Sequence, residues 1–156
     1  MKNNKGFSLV ELIIVIAIMA ILVGVMAPQL IKYIEKTNVS ADTQLADAVH
    51  SAVLTAIMDP EIATLPASSA EQQYIEGSLK TGIALTGITS TTNSLTAAIC
   101  DILGVTGGAE LATSLKSHGA SVVSVRVDGN RCSVWLPGTD STGSKQTAAS
   151  LIISVY

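Results

Sequence analysis

Charged and aromatic side chains are both scarce in this chain of 156 residues. Charged residues make up 13% of it and aromatic residues 3%, and the net charge is -3 with no basic stripe beyond the first few residues. We therefore expect no direct binding of nucleic acid, which needs a concentrated positive surface. The few aromatic rings also argue against a stack of rings that conducts electrons.

The sequence also lacks the motifs that carry common site chemistry. It has no phosphate-cradling glycine loop, no cluster of metal ligands and no nucleophile elbow. His50 and His118 are expected to be exposed polar residues, and Asp128 with Asp140 makes only an incomplete calcium ligand set. We predict that the chain is not an enzyme and carries no metal or cofactor.

What the chain does have is one long apolar run close to its start. Sixteen residues from Leu12 to Ala27 carry no charge, and with the apolar residues on either side the stretch is about 25 residues long. At the rise of an α-helix that is roughly 37 Å, enough to cross the hydrocarbon core of a bilayer. The segment therefore predicts a transmembrane helix, and Glu11 lies near its first turn.

Two other kinds of apolar segment are alternatives to that interpretation: a secretory signal peptide and an ordinary signal anchor. A secretory signal peptide would have a shorter apolar core, no Glu11 inside it and no Pro28 directly after its cleavage site. The distribution of positive charge gives little support to an ordinary signal anchor, because the two lysines before the apolar run, Lys2 and Lys5, are balanced by Lys32 and Lys36 after it.

Glu11 is the residue that needs an explanation. A carboxylate inside a transmembrane helix costs about 2.5 to 3.5 kcal/mol on insertion scales, so it is usually kept for a partner or a function. A local explanation also exists, since a carboxylate in the first turn can reach the headgroups and complement the helix dipole.

The residues around Glu11 carry a more specific pattern. The stretch KGFSLVELIIVIAIMAILVGVMAP resembles the N-terminus of type IV prepilins and of the pseudopilins of type II secretion and competence systems. The matching residues are Lys5, Gly6, Phe7, Ser8, Leu9, Val10, Glu11 and Pro28. Ser8 stands where Thr is commoner in the family, and the resemblance covers roughly residues 1–58.

The resemblance implies how the N-terminus is processed and used. A prepilin peptidase would cut between Gly6 and Phe7 and methylate the new amino group of Phe7. In a filament, the Glu11 carboxylate of one subunit would then pair with the Phe7 amine of the next, which makes Phe7 and Glu11 the assembly residues.

The resemblance also implies a fold, a function and a location. The fold is α+β, with a long N-terminal helix packed on a small antiparallel sheet. The function is that of a structural subunit of an extracellular type IV pilus, used for adhesion, motility or surface interaction. Its partners are other copies of the chain, the prepilin peptidase, the assembly machinery and membrane lipid. Before assembly the chain would cross the cell membrane once, with its N-terminus in the cytoplasm.

Two alternatives remain open at this point. The first is a pseudopilin of a type II secretion or competence system, which shares the N-terminal segment. The second is a signal-anchored enzyme or binding protein, which the missing site chemistry disfavours.

The chain divides into five predicted parts. These are a leader (1–6), a transmembrane and assembly helix (7–31), the amphipathic half of that helix (32–58), a Ser/Thr-rich connecting region (59–120) and an antiparallel sheet (121–156). The helix is expected from Phe7 to Met58, stopped by Asp59 and Pro60. Gly24 and Pro28 predict a kink or break, and the resemblance adds that this stretch unwinds on assembly.

The amphipathic half of the helix has a predicted packing face. Its members recur at spacings of three and four residues: Ile34, Asn38, Ala41, Leu45, Val49, Ala52 and Ala56. Asp42 and His50 are expected mostly elsewhere on the helix.

The connecting region predicts three short helices. Ser68 and Glu71 form a predicted capping box for the first, and Gly104 and Gly119 end the other two. The piece from Thr81 to Thr92 fits a loop or a short strand equally, and its hydroxyls are candidates for O-linked sugars, with an undecorated loop favoured.

The last part of the chain predicts strands. SVVSVRV and RCSVWL flank DGN, a strong hairpin signal, and AASLIISVY supplies a further strand. Because the part of the chain after the transmembrane helix would mature outside the reducing cytosol, we expect a disulfide between Cys100 and Cys132, with two separate buried thiols as the alternative.

Overall fold

The computed structural model describes residues 8–117, 120, 122–129, 131–137 and 151–155. Contacts divide the chain into two units, Met1–Thr37 and Asn38–Tyr156. Helix α1, Leu9–Met58, contributes to both units, and the other helices and all strands belong to the second. A long apolar helix with a small antiparallel sheet confirms the predicted α+β class.

In the first unit, α1 is an apolar helix whose side chains lie open on all sides. Every large apolar side chain from Leu9 to Ile34 is at least 50% exposed. The helix is long and apolar enough to cross a membrane. It continues as a helix through Gly24 and Pro28, so this stretch is not unwound in the single chain, and the unwinding predicted for the filament stays a prediction. Phe7, its expected first residue, lies outside the described residues.

In the second unit, α1 packs one face into the core. The buried residues recur at spacings of three and four, which makes a single stripe: Asp42, Ala46, Val49, Ala52, Val53 and Ala56. The prediction was correct for Val49, Ala52 and Ala56. It was wrong for Ile34, which is 51% exposed. It was also wrong for Asp42, which is 1% exposed because hydrogen bonds from Lys116 and Ser117 satisfy its carboxylate.

The end of α1 follows the predicted signal. Pro60 opens helix α2, Pro60–Ala63, and the Asp59 side chain accepts a hydrogen bond from the Glu61 N–H at 2.9 Å. Asp59 thus ends one helix and caps the next.

Three further helices follow in the connecting region, α3 (Ala70–Tyr74), α4 (Ser94–Leu103) and α5 (Gly108–Ser114). A π-helical turn at Ile75–Leu79 continues α3. Gly104 ends α4 in the left-handed region at a φ of 67°, as predicted. α5 ends at Ser114, before the predicted Gly119, which lies outside the described residues.

The predicted capping box of α3 was wrong by one residue. Ser69, not Ser68, is the cap, and its hydroxyl accepts from the Gln72 N–H. Glu71 consequently lies in the first turn, where its carboxylate contacts another helix. A capping box is present at the start of another helix, α4, where Asn93 and Thr96 form it.

The sheet has four antiparallel strands in the order β1-β2-β3-β4. The strands are β1 (Ile83–Ala84), β2 (Ser124–Asp128), β3 (Arg131–Pro137) and β4 (Leu151–Val155). The predicted hairpin joins β2 to β3, with Asp128 paired to Arg131 and Gly129 at a φ of 60°. β1 resolves the open choice within 81–92 in favour of a short strand followed by a 3₁₀ turn at Leu85–Gly87.

The core fills the space between α1, the short helices and the sheet. Val49 and Val53 of α1, Leu95 and Ile99 of α4, and Val125 of β2 are at most 1% exposed. Burial of such side chains is the main favourable term in folding.

One glycine allows a close approach within this core. A Cβ at Gly108 would lie 1.7 Å from the Leu85 carbonyl oxygen, so any side chain at the start of α5 would displace the turn after β1.

Both cysteines belong to the core as free thiols. Cys100 on α4 and Cys132 on β3 are 1% and 2% exposed. The predicted disulfide is therefore absent, and the alternative of two separate buried thiols describes the structure. Buried thiols of this kind pack as small apolar side chains.

Candidate assembly site and supporting contacts

Glu11 lies in the first turn of α1 and closes the start of that helix. Its Oε2 accepts a hydrogen bond of 2.9 Å from the Ser8 N–H. The Ser8 hydroxyl in turn accepts from the Val10 N–H at 3.4 Å. Both N–H groups belong to the set that a helix start leaves without partners, so the two side chains cap α1 in the manner of a capping box.

This cap supports the local explanation of Glu11 in the single chain. A negative charge at the N-terminus of a helix is also favoured by the helix dipole. A carboxylate has two oxygens and can accept several hydrogen bonds, so the bond to Ser8 leaves capacity for a further donor. Gly6 and Phe7, the predicted cleavage and methylation residues, lie outside the described residues.

The surface around Glu11 is apolar. Leu12, Ile13 and Val15 are 60%, 50% and 54% exposed, and the same exposure continues along α1 to Ile34. Soluble monomers rarely expose apolar patches of more than a few hundred Å². The segment therefore requires lipid or other apolar helices around it.

The pair Gly24 and Pro28 is a weak point in α1. Pro28 has no N–H, so the Gly24 carbonyl, four residues earlier, receives no helical hydrogen bond from it. Glycine adds a further cost in a helix interior. Both features lower the free energy needed to open α1 at this stretch relative to a helix without them.

Asp42 is a site residue that the sequence prediction missed. Its two carboxylate oxygens accept from the backbone N–H groups of Lys116, at 2.9 Å, and Ser117, at 2.8 Å, and also from the Ser117 hydroxyl. Three donors to one buried carboxylate fix the segment after α5 against α1. The spacing of Asp42 to Ala46, Val49 and Val53 was the available sequence signal.

Glu71 makes a second polar link, between α3 and α4. Its Oε1 accepts from the Ser94 hydroxyl at 2.7 Å and from the Ser94 N–H at 3.3 Å. The Ser94 side-chain hydrogen bond is the main reason that the pKa of Glu71 lies below its ordinary value of 4.5. The ionised carboxylate thus stabilises the start of α4.

The described residues provide little for catalysis or metal binding. Within them, no group of three or more His, Cys, Asp and Glu side chains is placed to hold a metal ion. Burial raises the pKa of Cys132 to about 11 and also raises that of Cys100, so both thiols stay protonated. Asp128 lies at the end of β2, while Asp140 and His118 lie outside the described residues.

Comparison with known proteins supports the N-terminal motif and extends beyond it. The family model of the prokaryotic N-terminal methylation motif matches residues 1–27. Two fimbrial proteins of Pseudomonas aeruginosa are each 31% identical to the chain over 129 residues, covering 76% of this chain and 84% of their own length.

A third relative matches over a shorter stretch. The major component PilA4 of the type IV wide pilus of Thermus thermophilus is 50% identical over 50 residues, which cover 31% of this chain and 38% of that protein. No solved structure matches the chain with significance. Because the fimbrial proteins are 31% identical to the chain and are matched over 84% of their own length, the chain belongs to the type IV pilin family of structural pilus subunits.

Proposed function

We propose that this chain polymerises through its N-terminal helix into an extracellular type IV pilus. The observation that supports this most directly is the position of Glu11, a single acid in the first turn of a helix whose apolar side chains are otherwise exposed. A bundle of such helices would bury the apolar surface and leave Glu11 in need of a cationic partner.

The cation that we propose is the amine of Phe7 on a neighbouring subunit. Cleavage between Gly6 and Phe7 by a prepilin peptidase creates this amine, which is then methylated. At 4 Å the attraction of two unit charges is about 4 kcal/mol for an effective dielectric constant of about 20. Charges left unpaired in an apolar bundle are costly, so only the register that joins Glu11 to Phe7 is favourable.

The same proposal assigns a place to each part of the chain. Residues 1–6 are the leader, 7–31 the transmembrane and assembly helix, and 32–58 its amphipathic half, followed by the connecting region (59–120) and the sheet (121–156). Before assembly the helix lies in the cell membrane among lipids, with its N-terminus in the cytoplasm. The pilus assembly machinery then transfers the subunit to the filament.

Leaving the membrane has a further consequence for α1. The weak hydrogen bonding at Gly24 and Pro28 favours local unwinding of this stretch when the helix enters the bundle. Hydrogen exchange that remains as slow there in filaments as in the flanking turns would contradict this part of the proposal.

The filament would serve adhesion, motility or interaction with surfaces. The alternative is a pseudopilin of a type II secretion or competence system, whose N-terminal segment has the same pattern. The named relatives favour the pilus, since they are fimbrial proteins and a pilus major component. Filaments that extend from the cell surface at native expression support the pilus, whereas loss of secretion or DNA uptake without surface filaments supports the alternative.

The test uses mass spectrometry of sheared filaments from cells that express the native chain, Glu11→Gln or Glu11→Ala. The native filaments should contain a mature subunit that begins at methylated Phe7. Gln retains a carbonyl oxygen that can accept from the Ser8 N–H but has no charge, whereas Ala removes both properties. We expect both variants to be processed and inserted, and both to yield at least about tenfold fewer filaments, because the lost charge pair is common to both.

The matched pair separates the two roles of Glu11. If Gln restores normal filament yield, Glu11 acts through the local cap and the charge pairing is wrong. Subunits that begin at Met1 or at Pro28 would contradict the proposed processing.

A further inference from the structure

A cavity of about 570 Å³ lies in the second unit beside the β2-β3 hairpin. The residues that line it include two arginines, Arg126 and Arg131, together with His50 and Ser133. Leu54 of α1 gives part of the wall an apolar character. These side chains come from two strands and a helix that the hydrophobic core holds in place.

The charge of this cavity differs from that of the unit around it. Segment 38–156 contains ten acidic and five basic residues, and the chain has only two arginines. Both arginines line this one cavity. On a unit that is acidic as a whole, the two arginines make this cavity the more favourable place for a negatively charged group.

The two arginines are positioned differently. The Nε of Arg126 donates to the Lys80 carbonyl oxygen at 3.1 Å, which holds the side chain and leaves its terminal NH₂ groups for another acceptor. Arg131 has no ion-pair partner within 4 Å among the described residues. The Lys80 ammonium pairs with Glu76 at 2.9 Å instead.

Asp128 lines the same cavity and limits what can bind. Its carboxylate repels a bare anion but accepts hydrogen bonds from hydroxyl groups. A ligand with an anionic end for the arginines and hydroxyls for Asp128 and Ser133 satisfies all of these groups. The volume is within the range of small-molecule sites and exceeds the needs of an inorganic anion.

We propose that this cavity binds a phosphate ester of a hydroxylated molecule. Arg126 and Arg131 hold the phosphate oxygens, because planar guanidinium groups match phosphate geometry. Asp128 and Ser133 form hydrogen bonds with the hydroxyl groups of the ligand, and His50 of α1 lines the same cavity. This site is separate from the assembly residues and does not depend on polymerisation.

The experiment is calorimetric titration of the full chain in an uncharged detergent and a phosphate-free buffer. Glycerol phosphate is the test ligand, and inorganic phosphate and glycerol are the comparisons. We expect glycerol phosphate to bind several-fold more tightly than inorganic phosphate, and glycerol to give no signal. Arg131→Gln, and the double variant with Arg126→Gln, should each weaken binding by about tenfold or more.

The matched control is Lys116→Gln, which removes one positive charge from an exposed residue outside the cavity lining. It should change the affinity by less than about twofold. Thermal unfolding of each variant checks that Arg126→Gln retains the fold, and Arg131→Gln tests the site without touching the bond to Lys80. Absence of binding by the native chain, equal affinity for both phosphates, or an equal loss in Lys116→Gln would overturn the proposal.

Discussion

Asp42 is a charged residue with a structural task in the core. It is buried on the packing face of α1 and accepts three hydrogen bonds from residues 116 and 117. A carboxylate in this position is favourable only while those donors are present, since an unpaired buried charge costs several kcal/mol. The residue therefore couples the position of the segment after α5 to that of the helix.

We predict that Asp42→Ala lowers the free energy of unfolding by about 3 kcal/mol. The change leaves the Lys116 and Ser117 N–H groups without their acceptor, and each unsatisfied buried group costs about 1 to 3 kcal/mol. Asp47→Ala is the matched control, because Asp47 is exposed on the same helix, and it should change stability by less than about 0.5 kcal/mol. Thermal or denaturant unfolding of the full chain in detergent measures both. Equal stability of the two variants would show that the Asp42 contacts contribute nothing.

The contrast between Glu11 and Asp42 shows which residues can be found from sequence. Glu11 was predicted as an assembly residue because its motif is local and fixes residue types and spacings together, and that role stays a prediction. Asp42 was assigned away from the packing face, since an ionised side chain is rarely buried without a partner. Its partners lie 74 and 75 residues further along the chain, so no local sequence pattern predicts them.

At the scale of elements, helix ends and turns that require a special backbone conformation were predictable from sequence. Features that several residues could provide equally well, or that depend on the tertiary fold, were not. Gly104 and the DGN turn require positive φ, which glycine adopts readily, and both were correct. Ser69 displaced Ser68 as the cap of α3, where either serine could have served. The prediction of a disulfide was wrong because two cysteines can be buried in one core without being bonded to each other.

Glu71 links two elements and makes their stability depend on pH. Its pKa is lowered in the folded chain, mainly by the Ser94 hydroxyl, so the ionised form is favoured by folding. This contribution is complete at pH values above the ordinary pKa of 4.5 and is lost progressively as the pH falls from there through the lower pKa of the folded chain.

We predict that Glu71→Gln reduces the fall in thermal stability between neutral pH and the acid range. The native chain loses the Glu71 contribution on acidification, whereas the amide has no ionisation to lose. Glu61→Gln, at an exposed position in α2, serves as control and should retain the native pH dependence. Melting temperatures at a series of pH values provide the measurement. The same pH profile in Glu71→Gln and the native chain would mean that the link to Ser94 contributes nothing to folding.

At the scale of the whole molecule, the two units differ in how their apolar surface is covered. Among the residues whose burial the structure describes, the buried apolar core runs from Ala46 to Leu136, inside the second unit. The large apolar side chains described in the first unit, from Leu9 to Ile34, are at least 50% exposed instead. Hydropathy alone identified the apolar segment, but the set of contacts that closes the core depends on the tertiary fold.

We predict that a chain beginning at Asn38 folds without detergent and remains monomeric. It retains the whole core and the Asp42 contacts, and Asn38 is a favourable residue for a new helix start. A chain beginning at Ala48 is the control, because it lacks Asp42 and Ala46 and should be unfolded or aggregated. Circular dichroism with size-exclusion chromatography measures both. An unfolded Asn38 chain would mean that the second unit depends on the apolar helix for stability, and cooperative unfolding of the Ala48 chain would mean that the start of the packing face is dispensable.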